Sequence, residues 1–209
     1  MIEHRTGANG IERRVVPGEV RITKHADGTA VLAGITAPFG KLSDDLGGFR
    51  EQIEAGAFAE ALTHSDPVAL FNHNPDHLLG RASAKTLRLE EVDAGLSYEV
   101  DLPETAIGVL VRSGVERKDI QGNSFAFTVE HDEWEEQEDG TWLRTVKRIG
   151  MLYDVGPVVY PAYPDTSVAL RSLAAVREQR TPPDLADEDR ERLQRMLDMD
   201  LEGLPSGGR

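Results

Sequence analysis

The 209-residue chain contains no cysteine. Disulfides, thiolate metal sites and a cysteine nucleophile are thereby excluded, and a reducing compartment fits. Aromatic residues are scarce at 6%, and 23 Lys and Arg face 37 Asp and Glu, for a formal net charge of −14 with His neutral. Binding along a nucleic-acid backbone draws on concentrated positive charge, so no nucleic-acid partner is expected. Long apolar runs are missing as well. No stretch reaches the about 20 residues that span a bilayer, and Met1–Gly10 lacks the apolar core of a secretory signal. The expectation is a chain soluble where it is made, with no membrane partner.

What is present suffices for a folded domain: 39% of the residues are hydrophobic and 29% charged. From Val15 to Val168 short runs of β-branched and aromatic residues alternate with Gly-, Asp- and Asn-containing turns. Strands are predicted near Glu19–Lys24, Thr29–Thr36, Val68–Asn72, Thr86–Glu90, Leu96–Asp101, Ser124–His131, Thr141–Ile149 and Met151–Val159. Helices are predicted at Ala55–Thr63, with Phe58, Ala59 and Leu62 on one face, and at Glu104–Ser113, with Ile107, Leu110 and Val111 on one face and Gly114 as its C-terminal cap. The fold class is therefore mainly β with helices (α+β), and so many strands favour a closed or nearly closed antiparallel barrel, which leaves few exposed edges.

Residues 1–14 read as a flexible N-terminus, 15–173 as the domain, and 174–209 as a Pro-linked acidic tail. Pro182 and Pro183 break the tail, and Asp187–Glu202 has helical spacing with Leu193, Leu197 and Leu201 in a narrow stripe.

Histidines occur at 4, 25, 64, 73, 77 and 131. His73 and His77 have the i, i+4 spacing of a zinc helix, but Pro75 between them interrupts regular helix, so no metal site is expected. Val68–Gly80 (VALFNHNPDHLLG) is an apolar strand that ends abruptly in a polar turn, and this can carry His73 to a cleft mouth. In Asp119–Val129 (DIQGNSFAFTV), Ser124 follows Gly122 and Asn123, read as a turn with backbone donors for an oxyanion, and shares a face with Ala126 and Thr128. Each residue alone also reads as structural, His73 as a turn residue and Ser124 as a strand opener.

Together they acquire a frame. The blocks GFREQIEAGAF (Gly48–Phe58), LFNHNPDHLLGR (Leu70–Arg81), AGLSYEVDLPET (Ala94–Thr105), VRSGVERKDIQGNSFAFTV (Val111–Val129) and DVGPVVYPAYPDTSVALRS (Asp154–Ser172) resemble, in order and spacing, the caudovirus prohead serine proteases. The family is distantly similar to the herpesvirus assemblins, which have a barrel and a Ser-His-His site. The resemblance implies His73 and Ser124 as the catalytic pair. No His follows His131, so the third assemblin residue has no counterpart, and Asp154 is the leading substitute among Asp76, Asp93, Glu99 and Asp101. For Asp154, an ion pair with Arg148 or Lys147 is the competing structural reading.

The implied function is a serine endopeptidase that processes scaffold segments and major capsid protein during phage head maturation and cleaves itself. It would act in the host cytoplasm, inside the assembling prohead, with no cofactor and with self-association left open. Two other classes remain: a non-catalytic capsid assembly or scaffold protein that keeps the fold, and a small-molecule serine esterase. Against the esterase, Gly122-Asn123-Ser124-Phe125-Ala126 ends in Ala where the usual hydrolase elbow has Gly.

Overall fold

The computed structural model describes residues 2–4, 10–18, 20–160 and 167–180. In chain order its strands are Ile2–His4 (β1), Glu12–Pro17 (β2), Val20–Lys24 (β3), Ala30–Pro38 (β4), Phe49–Ile53 (β5), Val68–Leu70 (β6), Leu78–Arg81 (β7), Leu87–Val92 (β8), Gly95–Asp101 (β9), Gly122–Glu136 (β10) and Trp142–Val158 (β11). The helices are Ala61–His64 (α1), Ala106–Glu116 (α2) and Ser167–Arg180 (α3). One compact unit comprises Met1–Leu173 and a second Ala174–Arg209, of which only 174–180 in α3 are described. The tail helix expected at Asp187–Glu202 lies outside the described residues. Among those described, no helix is long and apolar enough to cross a membrane.

The strands form two sheets, and of the closed or nearly closed antiparallel barrel expected, no closed barrel is found among the described residues. A seven-stranded sheet runs β1-β10-β11-β6-β7, with β2 also on β10 and β5 also on β11, and a four-stranded sheet runs β3-β4-β9-β8. Leu32, Tyr98 and Val100 of the smaller sheet share one buried core with Phe125, Phe127, Leu152 and Val155 of the larger. The sheets therefore pack through their apolar faces, and an isolated backbone bridge, Phe39 to Ile53, joins the end of β4 to β5. Near Ser124 they are also tied by side chains: the Thr36 hydroxyl donates to the Ser124 carbonyl (2.9 Å), and the Tyr98 hydroxyl to Asn123 Oδ1 (2.8 Å).

Local differences from expectation have local causes. Part of the supposedly flexible N-terminus, Ile2–His4 and Glu12–Arg14, is paired with β10. The two strands predicted at 141–149 and 151–159 are one, β11, which pairs with β10 through a series of register shifts. The helix predicted from Ala55 is turns up to Glu60, with Gly56 at φ 89°, and only Ala61–His64 is helical. In α2 the buried stripe is Gly108, Val111 and Val115, whereas Leu110 is exposed. Gly114 is inside α2 against Ile120, and Lys118 supplies the left-handed residue (φ 65°) beyond the helix end.

Candidate active site

Three neighbouring elements converge on one point. β6 lies parallel to β11, with Val68 opposite Asp154, while Ser124 on β10 lies opposite Gly156 of β11. A Cβ on Gly156 would stand 2.1 Å from the Leu70 carbonyl, so glycine is what lets the end of β6 approach β11 this closely.

Beyond Leu70 the chain reverses sharply. Asn72 and His73 both adopt left-handed backbone (φ 56° and 55°), a conformation uncommon for non-glycine residues in which Asn and His are enriched. The restraints are visible. The Asn72 N–H donates to the Pro157 carbonyl (3.1 Å), and Asn72 Oδ1 accepts from the Val159 N–H (3.0 Å). Within the turn, His77 N–H donates to the Asn74 carbonyl (2.9 Å) and Phe71 N–H to the His77 carbonyl (3.1 Å). The His73 turn is thus fastened to the same strand that carries Asp154.

The result is a chain of side chains. His73 Nδ1 donates to Asp154 Oδ1 (2.6 Å), and His73 Nε2 is hydrogen-bonded to the Ser124 hydroxyl. Ser124 and Asp154 are buried while the His73 ring is part-exposed, its side chain 16% accessible. All three residues singled out from the sequence are therefore in one hydrogen-bonded line. The alternative pairing of Asp154 is not what is found: Arg148 is with Glu130 and Glu60, and Lys147 with Glu54 and Glu133. Of the competing carboxylates, Asp101 is engaged by Arg88 and His25, Glu99 by Arg88, and Asp76 is exposed in the turn.

Gly122 and Asn123 are not the turn expected. They are strand residues, paired with Pro17 and Val16 on one side and with Val158 and Pro157 on the other. Asn123 is fully buried, and its side chain fits because Gly34 has no Cβ, which would stand 2.6 Å from Asn123 Oδ1.

Sequence reading missed a further contact of Ser124. Its hydroxyl lies 2.8 Å from the Arg14 carbonyl on β2. The Arg14 side chain enters a buried ion cluster: it bonds Glu51 (2.8 and 2.9 Å) and Glu12 (2.5 Å), while Arg144 bonds Glu12 (2.8 and 3.0 Å), Glu51 (2.8 Å) and Asp132 (2.7 Å). Burial pushes the Glu51 carboxyl up, but the Arg14 and Arg144 guanidiniums outweigh it and hold the group below its ordinary range. The available signal was alternation. In Glu12-Arg13-Arg14, two charged residues share one strand face beside the apolar pair Val15-Val16.

Next to the His73 turn an open cavity of about 280 Å³ is lined by Phe71, Leu110, Ile120 and Val159, with Arg117 and Asp119 also at its wall.

Comparison with known proteins adds the following. The family model of the caudovirus prohead serine protease matches residues 18–179. Among solved structures, the capsid assembly protease gp21 of bacteriophage T4 is similar at 12% identity and a TM-score of 0.47, with 72% of this chain and 96% of that chain covered. No curated protein matches.

Proposed function

The chain belongs to the caudovirus prohead serine protease family and is a peptidase of phage capsid maturation, and on that premise we propose that Ser124 is its nucleophile, His73 its general base and Asp154 the group that orients His73. The observation that carries this reading is the unbroken line from Asp154 Oδ1 through both ring nitrogens of His73 to Ser124 Oγ.

With Nδ1–H committed to Asp154, the Nε2 lone pair is free to take the Ser124 proton as Oγ bonds to the scissile carbonyl carbon. The imidazolium then returns that proton to the leaving amine as the C–N bond breaks. Water, deprotonated by the same nitrogen, releases the acyl group and restores Ser124. The apolar cavity beside the turn suits a side chain of an extended peptide laid across the site.

Scaffold segments and the amino-terminal region of the major capsid protein are the proposed substrates, met inside the assembling shell in the host cytoplasm, with self-association of the protease as part of that assembly. The chain itself is a further substrate, cut between Ser172 and Gly208, where the sequence becomes Pro-linked and highly charged. Intact masses after incubation under assembly conditions test this: a truncated wild type beside a complete Ser124→Ala protein is expected, and equal full-length masses would refute self-cleavage.

A serine-directed fluorophosphonate probe tests the site. Labelling of the wild type at Ser124 and none of the Ser124→Ala variant is expected. Absence of labelling in every assembled state would favour a non-catalytic assembly protein.

A further inference from the structure

The Ser124 hydroxyl has one proton and two acceptors in reach, His73 Nε2 and the Arg14 carbonyl. When His73 is neutral, with Nδ1–H on Asp154, the hydroxyl donates to Nε2. When His73 is protonated, Nε2–H donates to Oγ and the hydroxyl must point elsewhere. The Arg14 carbonyl at 2.8 Å is where it points. Both protonation states are thereby fully hydrogen-bonded, and the carbonyl stabilises the protonated one.

We propose that Arg14 is a positioning residue for Ser124: its carbonyl accepts the serine hydroxyl whenever His73 is protonated, and its buried side chain fixes where that carbonyl stands. Among the described residues β2 is bound by a ladder on one side only, to β10. It is also attached through the ion cluster, in which Arg14 meets Glu51 of β5 and Glu12 meets Arg144 of β11. The cluster thus ties the N-terminal edge strand to the strand that carries Asp154. The inference rests on the proposed roles of Ser124 and His73.

The groups facing His73 are Asp154 from β11 and the neutral Ser124 from β10, while its own turn carries the exposed Asp76 and the half-buried His77, the latter packed on Phe71. The reaction of Ser124 should fail at low pH as His73 gains its proton. In that state the Arg14 carbonyl is the acceptor left to the Ser124 hydroxyl.

The test is the second-order rate of fluorophosphonate labelling against pH, measured on full-length protein. Two variants, Arg14→Gln and Arg14→Lys, are compared with wild type after circular dichroism establishes that they fold. Loss of the carbonyl's position predicts an acid limb displaced to lower pH by about 0.5 to 1 unit for Arg14→Gln, the size of one net hydrogen bond. Arg14→Lys, which keeps the charge, should fall between. Removing the Arg14 charge by itself would move the limb upward, since a nearby cation disfavours protonation of His73. Arg14→Gln carries both effects at once, whereas Arg14→Lys and the ester described next keep the charge, so an unmoved or raised limb in a folded chain that keeps the charge overturns the proposal.

A semisynthetic chain with an ester in place of the Arg14–Val15 amide weakens the same carbonyl while leaving the ion cluster intact. It should show the same downward displacement, and it decides the matter if the side-chain variants do not fold. A wild type that is not labelled at all refutes the assignment of Ser124 itself, whereas labelling with a limb unmoved by the ester refutes only the role of Arg14.

Discussion

His73 is held by geometry more than by chemistry of its own. Its left-handed backbone, the Asn72 clamp to Pro157 and Val159, and the Asp154 carboxylate leave the ring one orientation, with Nε2 toward Ser124. Replacing Asp154 with Asn removes the anion that selects the Nδ1–H tautomer. The fold should survive, and turnover of a peptide substrate should fall by about 10²–10⁴-fold, as in Ser-His-Asp sites generally. Activity within a few-fold of wild type would reduce the site to a Ser-His pair. Ser124→Ala should abolish turnover while changing unfolding free energy by only about 1 kcal/mol, since the residues differ by one buried oxygen. At this scale the ordered blocks single out Ser124, His73 and Asp154, which the fold brings into one hydrogen-bonded line. Arg14 was not legible, because it meets Ser124 through a backbone carbonyl and no side-chain identity encodes that contact.

β2 and β5 went unrecognised as strands for a shared reason. Glu12, Arg14 and Glu51 point inward, where apolar residues are expected, so both segments read as polar connections. Their burial makes sense only with Arg144, which lies more than ninety residues away from Glu51 along the chain. Arg144→Met is expected to cost about 3–5 kcal/mol, because Glu12, Glu51 and Asp132 would remain buried with one guanidinium fewer. Urea denaturation measures the loss, and a change below about 1 kcal/mol would mean the cluster contributes little to stability. Gly156→Ala makes a complementary case on β11. The added methyl meets the Leu70 carbonyl and pushes β6 away, so about 1–3 kcal/mol of stability should be lost along with most labelling of Ser124. Normal labelling of this variant would show that the approach of β6 to β11 does not position His73.

For the whole molecule, the sequence conveyed a mainly β fold with helices, yet not the division into two sheets. Alternation identifies a strand and its buried face, but the choice between closing a ladder and packing two faces depends on long-range pairings such as β11 with β5 and β6. Charge distribution sets the acid stability of the assembled fold. Arg88 hydrogen bonds hold Asp101 at about 2, with His25 adding to the effect against partial burial, and the Glu51 carboxyl is also held low. Both groups are held below their unfolded pKa, so these contributions are complete only above about pH 5 and are lost as pH falls through the folded range. The melting temperature should therefore fall between about pH 5 and pH 2, and Arg88→Ala should remove part of that fall; a melting temperature constant across the range would contradict the assignment. The central proposal is that Ser124 is the nucleophile that cleaves capsid protein, and coexpression of the full chain with the major capsid protein of the same phage, followed by intact-mass measurement, tests it most directly. The account predicts capsid protein shortened at its amino-terminal end with the wild type and full-length with Ser124→Ala; the same capsid mass in both would contradict it.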